Sequence, residues 1–136
     1  MNVLKSHKDL VVWQKAMELA ALTYELTKGM PKTEQYGLTS QMLRAAVSIP
    51  ANIAEGNSRG TRKDYARFIS ISRGSSAELE THLDLVVRVK LLDRDAVARA
   101  VVLNDEIGRM LNALRSKLSL GDPGFNEEDQ DYLSSP

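Results

Sequence analysis

Residues 48–65 read SIPANIAEGNSRGTRKDY, a run that begins as a helix and ends in glycines and charge. A proline stands where the twelve residues before it ask for a helix, and two carboxylates, two glycines and three cations follow. Leu38, Met42, Ala45, Ala46, Ile49 and Ile53 recur at helical spacing straight through Pro50, with Gln41, Arg44, Ser48, Asn52 and Glu55 on the other side. Because the phase survives, Pro50 predicts a kink inside a second helix and not its end. The cost is one backbone hydrogen bond to the Ala46 carbonyl and strain of ~3 kcal/mol in an isolated helix, which tertiary packing must offset.

A carboxylate near a helix C-terminus is opposed by the helix dipole. Glu55 therefore predicts a cationic partner, either Arg59 at i+4 or Arg44 three turns earlier, and Asn52 and Glu55 are expected to form a structural polar network. Gly56 and Gly60 end the helix. Thr61 followed by Asp64 has the form of a capping box that opens a third helix, running to about residue 90. Its stripe is Tyr65, Phe68, Ile69, Ser72, Ser76, Leu79, Leu83, Val86 and Val87. The small residues Ser72, Gly74, Ser75, Ser76 and Ala77 predict close approach by a neighbouring helix.

Working outward, Trp13, Ala16, Met17, Ala20, Tyr24 and Thr27 place a first helix over 10–27. TKGMPKTEQYG, residues 27–37, is a connection with room for a short turn. Ala96, Ala100, Leu103, Ile107, Met110, Leu114 and Leu118 predict a fourth helix over 94–118. No β-alternation competes. The expected fold is all-α, an antiparallel up-and-down four-helix bundle over residues 1–120. Residues 121–136 carry turn formers and charge without periodicity, which predicts a disordered acidic tail. Leu19, Leu22, Leu26, Ile71, Leu85, Val89, Val97, Val101 and Val102 stray from the main seams, and apolar clusters on several helices predict a homo-oligomer.

With 136 residues and 43% hydrophobic content the chain suits one domain with one core. It has no cysteine, which excludes disulfides and thiolate zinc sites. Without a long apolar run it carries no signal for secretion or membrane insertion, so a cytoplasmic protein is expected. Its zero net charge divides unevenly: residues 1–120 hold all eighteen Lys and Arg but thirteen of the eighteen acids, leaving five acids and no base to the tail. A basic body predicts an anionic partner, although surpluses of this size also occur on proteins that bind no nucleic acid.

Catalysis finds little here. His7 precedes the first helix and is expected to be solvated; His82 follows Glu78 by one turn, without further ligands at metal-binding spacing. GNSRGTRK lacks the spacing and ending of a phosphate loop. No catalytic residue, metal or cofactor is assigned, and an enzyme is not expected. What remains is cationic. Arg59, Arg62, Lys63 and Arg67 surround the start of the third helix, where free N–H groups and the dipole favour an anion. Arg73 returns to within ~20° of Arg62 around the helix, and Arg44 is added from the second helix. The alternative is that these cations are solvated or paired with Glu55, Asp64 and Glu78. Tyr65 belongs to the apolar stripe, so contacts to nucleic acid would be mainly to phosphate, with weak sequence preference. The acidic tail would compete for the same cations, the alternative being a solubilising end.

Three segments, DLVVWQKAMELA at 9–20, QMLRAAVSIPANIAEGNSRG at 41–60 and ISRGSSAELETHL at 71–83, together resemble the four-helix-bundle proteins encoded in intervening sequences of bacterial 23S rRNA genes. The likeness covers 8–118; Leu43 stands where an arginine would be expected beside Arg44. The resemblance implies a homopentamer without established enzymatic activity that associates with ribosomal RNA or the ribosome. A related bundle is the accessory protein of diversity-generating reverse transcriptases, a basic pentamer that binds the enzyme and nucleic acid, and this is the second reading. A purely structural interaction module is the third.

Overall fold

The computed structural model describes residues 6–119; the tail expected at 121–136 lies outside the described residues. Four helices follow in order: α1 (Val11–Thr27), α2 (Leu38–Asn57), α3 (Arg62–Arg88) and α4 (Arg94–Ser119), with 3-10 turns at His7–Asp9 and Lys32–Glu34. There is no strand among the described residues. The helices contact one another in a closed cycle, α1 on α2 and α4, and α3 on α2 and α4, the packing of a four-helix bundle. Met42, Ile49, Ile53, Ile69, Leu79, Leu83, Ile107 and Leu111 meet at the centre, fully buried or nearly so.

α2 runs unbroken through Pro50, which is buried. Two side chains bond beside the position where Pro50 lacks a donor. Ser72 Oγ on α3 donates to the Ile49 carbonyl at 2.9 Å, and Asn52 Nδ2 donates to the Ser48 carbonyl at 2.9 Å. The same amide reaches Ser48 Oγ at 2.9 Å, and Ser48 Oγ lies 2.7 Å from Ser75 Oγ. The α2–α3 seam is thus joined by small polar groups whose hydrogen bonds offset their burial. Between α3 and α4, Ser76 Oγ donates to Asn104 Oδ1 at 2.9 Å while Asn104 Nδ2 donates to the Ser76 carbonyl at 3.0 Å.

The helix ends follow local chemistry. Thr61 accepts from the Asp64 N–H at 3.1 Å and starts α3, as the capping pattern predicts. Asp93 accepts from the Ala96 N–H at 2.8 Å and starts α4. α3 stops with Lys90 in the left-handed region at φ 65°, the Lys90 N–H bonded to the Val87 carbonyl and the Leu91 N–H to the Val86 carbonyl. That is a Schellman closure with lysine at the position glycine prefers.

Two expectations need correction. On α1 the buried face is Val12, Ala16, Leu19, Ala20 and Thr23, while Met17 and Tyr24, expected inside, are 46% and 53% exposed. Thr23 tolerates burial because its hydroxyl donates to the Leu19 carbonyl at 2.8 Å. Leu19 and Val97, expected to be surplus, are core residues, and Ala96 is exposed. The second correction concerns the small residues of α3. Ser72, Ser75 and Ser76 face inward as expected, but Gly74 and Ala77 are exposed, and a Cβ built at Gly74 would meet nothing within 4 Å.

Candidate nucleic-acid interface

The corner where α2 passes into α3 is built on Gly56. A Cβ at this position would lie 2.9 Å from Phe68 Cβ, 3.1 Å from Tyr65 Cδ1 and 3.2 Å from the Tyr65 carbonyl, so only glycine lets α3 seat against the end of α2. Tyr65 and Phe68 fill the joint, both buried. Asn57 Nδ2 donates to the Tyr65 hydroxyl at 3.3 Å. Burial holds the Tyr65 phenol above its usual titration range, with the Asn57 amide working weakly against that.

Phe68 is buried in the apolar stripe, as its spacing predicts, and it also holds cations, which the spacing does not show: the guanidinium carbons of Arg59 and Arg67 lie over its ring, 4.7 and 4.5 Å from the centroid. One arginine comes from the α2–α3 link and the other from the second turn of α3; a helical projection of α3 alone cannot show that they meet. Each also has a carboxylate neighbour, Arg59 with Glu55 at 3.4 Å and Arg67 with Asp64 at 3.9 Å. Lys63 is exposed on the first turn, and Arg62 beside it is half-buried and engaged in contacts of its own. Between residues 55 and 67 four cations face two carboxylates.

The remaining expected residues are placed elsewhere. Arg73 is half-buried and turned onto α4, its Nε donating to Asn112 Oδ1 at 3.2 Å, and Arg115 shares that acceptor at 3.0 Å. Arg44 lines a polar groove between α2 and α3 with Gln41, Ser48, Ser75 and Glu78. Thirteen residues along α2 separate it from the helix end at Asn57, a rise of ~20 Å, and Arg59 lies beyond that end. Glu55 pairs with Arg59, one of the two partners expected, and also accepts from Ser58 Oγ at 3.4 Å. Asn52 and Glu55 therefore belong to two separate networks, one joining α2 to α3 through Ser48 and one closing the end of α2.

His7 stands edge-on to Trp13, ring centroids 5.0 Å apart. His82 is buried, and its Nδ1 has no hydrogen-bond partner among the described residues. Burial lowers its pKa below the ordinary 6.5, with Glu78 pulling the other way. No helix among the described residues is long and apolar enough to cross a membrane.

Residues 8–113 match the family model described as the 23S rRNA-intervening sequence protein. The chain belongs to this family. Its fold agrees with the crystal structure of a protein of unknown function from the S23 ribosomal protein family of Bacteroides thetaiotaomicron. That protein is 26% identical, with a TM-score of 0.73, over 77% of this chain and 98% of that one. No curated protein matches the sequence. The family match spans all of α1, α2 and α3, and with them the corner that carries Gly56, Arg59, Arg67 and Phe68.

Proposed function

We propose that this chain is a non-enzymatic, cytoplasmic, oligomeric helical bundle that associates with structured RNA or the ribosome through the basic corner between α2 and α3. The observation that carries the reading is the gathering of Arg59, Lys63 and Arg67 at the start of α3, two of them held on one aromatic ring. The N–H groups and dipole of the α3 N-terminus add to the attraction for an anion. The family description names the 23S rRNA intervening sequence, and the structural neighbour is assigned to a ribosomal protein family.

The helices run up and down in antiparallel order, supported by cross-helix pairs whose numbering runs in opposite directions. Ser48 meets Ser75 while Gly56 meets Phe68, and Asn104 meets Ser76 while Asn112 meets Arg73. The assembly is a homopentamer. Supporting self-association, Val101 and Val102 are 43% and 68% exposed beside an α3–α4 groove of about 590 Å3, and Ile71, Leu85 and Val89 are also exposed.

The test is RNA binding measured against salt. An Arg62→Ala/Lys63→Ala protein should bind a labelled RNA hairpin more weakly and lower the slope of log affinity against log salt by up to ~0.9 per lost phosphate contact. A double variant that stays folded and oligomeric with unchanged affinity and slope refutes the site. A monomer in sedimentation at micromolar concentration refutes the pentamer.

A further inference from the structure

We propose that Phe68 is the platform of a two-arginine clamp on the phosphodiester backbone of RNA, with Arg59 and Arg67 each presenting a guanidinium to phosphate. This rests on the RNA reading above and names the chemical group that the corner recognises. Two guanidinium groups in water repel and separate. Here both are drawn onto the same ring, their central carbons 4.7 and 4.5 Å from its centroid, so the attraction of cation to π-electrons opposes the repulsion.

The ring itself has little freedom, because Phe68 is buried and its Cβ presses against the bare backbone of Gly56. Order therefore passes from Gly56 to Phe68, and from Phe68 to the two guanidinium groups. Neither arginine is locked by its carboxylate. The separations of 3.4 Å to Glu55 and 3.9 Å to Asp64 are longer than a charge-assisted hydrogen bond, and all four side chains are between 41% and 59% exposed. Exposed pairs of this kind contribute little and exchange readily.

A phosphodiester offers two non-bridging oxygens that share one negative charge. Each guanidinium is a planar donor fork that matches that acceptor, whereas an ammonium acts only as a point charge. Lys63, one turn before Arg67, has no ion pair among the described residues and is left to meet an adjacent phosphate. In an oligomer each subunit adds one clamp, so modest contacts accumulate through avidity.

The experiment uses the full chain and a fluorescein-labelled RNA hairpin, read by anisotropy, with circular dichroism and sedimentation to check fold and assembly. Phe68→Leu and the double variant Arg59→Lys/Arg67→Lys keep every positive charge but remove the stacking, and each should weaken binding about tenfold. Phe68→Tyr keeps the π face and should retain wild-type affinity. If Phe68→Leu loses its fold, the double lysine variant carries the test alone, since both arginines are exposed. Unchanged affinity of the double lysine variant beside weakened binding by Lys63→Gln overturns the clamp and leaves RNA association standing. Absence of salt-dependent RNA binding by the wild type overturns both.

Discussion

The same chemical change at two glycines should have opposite signs. At Gly74, in the middle of α3, a Cβ meets nothing within 4 Å, so Gly74→Ala adds only the helix preference of alanine. That is worth about 1 kcal/mol of added stability. At Gly56 the new carbon would fall 2.9 Å from Phe68 Cβ and 3.2 Å from the Tyr65 carbonyl. Neither atom can rotate away, because a Cβ and a carbonyl move only with the backbone. The end of α2 must shift from α3, and overpacking of this kind costs about 1–3 kcal/mol, more than the helix preference returns near a helix end.

The two variants should therefore differ by about 2–3 kcal/mol, or roughly 10 °C in midpoint for a chain of this size. Urea and thermal unfolding followed by circular dichroism would read this, with sedimentation confirming that both share one state of assembly. Equal stability of the two variants refutes the argument that close packing at the corner requires glycine. A loss of stability in Gly74→Ala, together with altered sedimentation, would place a neighbouring subunit against that face of α3 and refute its reading as open.

Other perturbations follow from single interactions. Lys90→Gly should stabilise by about 1 kcal/mol in urea unfolding, because φ is 65° there and only glycine adopts it without a Cβ penalty. Asn104→Ala should cost about 2 kcal/mol by the same measurement, since it leaves the Ser76 hydroxyl and carbonyl without their partner in a buried site. Burial disfavours the His82 imidazolium in the folded chain, so the unfolded chain binds that proton more tightly. Stability from this group is complete above the ordinary value of 6.5 and falls as pH drops below it; His82→Leu should flatten the unfolding midpoint against pH over that range.

Much of the fold was legible because it is local. The in-phase stripe from Leu38 to Ile53 carried α2 through Pro50, the Thr61–Asp64 pattern marked the start of α3, and the spacing from Ala100 to Leu118 marked α4. Each signal depends on residues within a turn or two, where helix geometry alone decides which side chains share a face. The Glu55–Arg59 pair, four residues apart, was legible for the same reason.

The phase of α1 is set by packing and not by its own sequence. Apolar residues run almost all the way round it, so periodicity has no contrast to read. Packing against both α2 and α4 selects Val12 and Leu19 and leaves Met17 and Tyr24 outside. Arg73 shows a related limit: an angle around α3 fixes where its Cβ points, but a long side chain ends where it finds an acceptor, here Asn112 on α4. The arginine pair on Phe68 is the strongest case. Arg59 lies in a link whose path depends on how closely α2 and α3 approach, and that approach is set by the missing side chain of Gly56. Helix period sets Arg67 and Phe68 about 100° apart on α3, and only the contact between two helices brings Arg59 to the ring that Arg67 also covers.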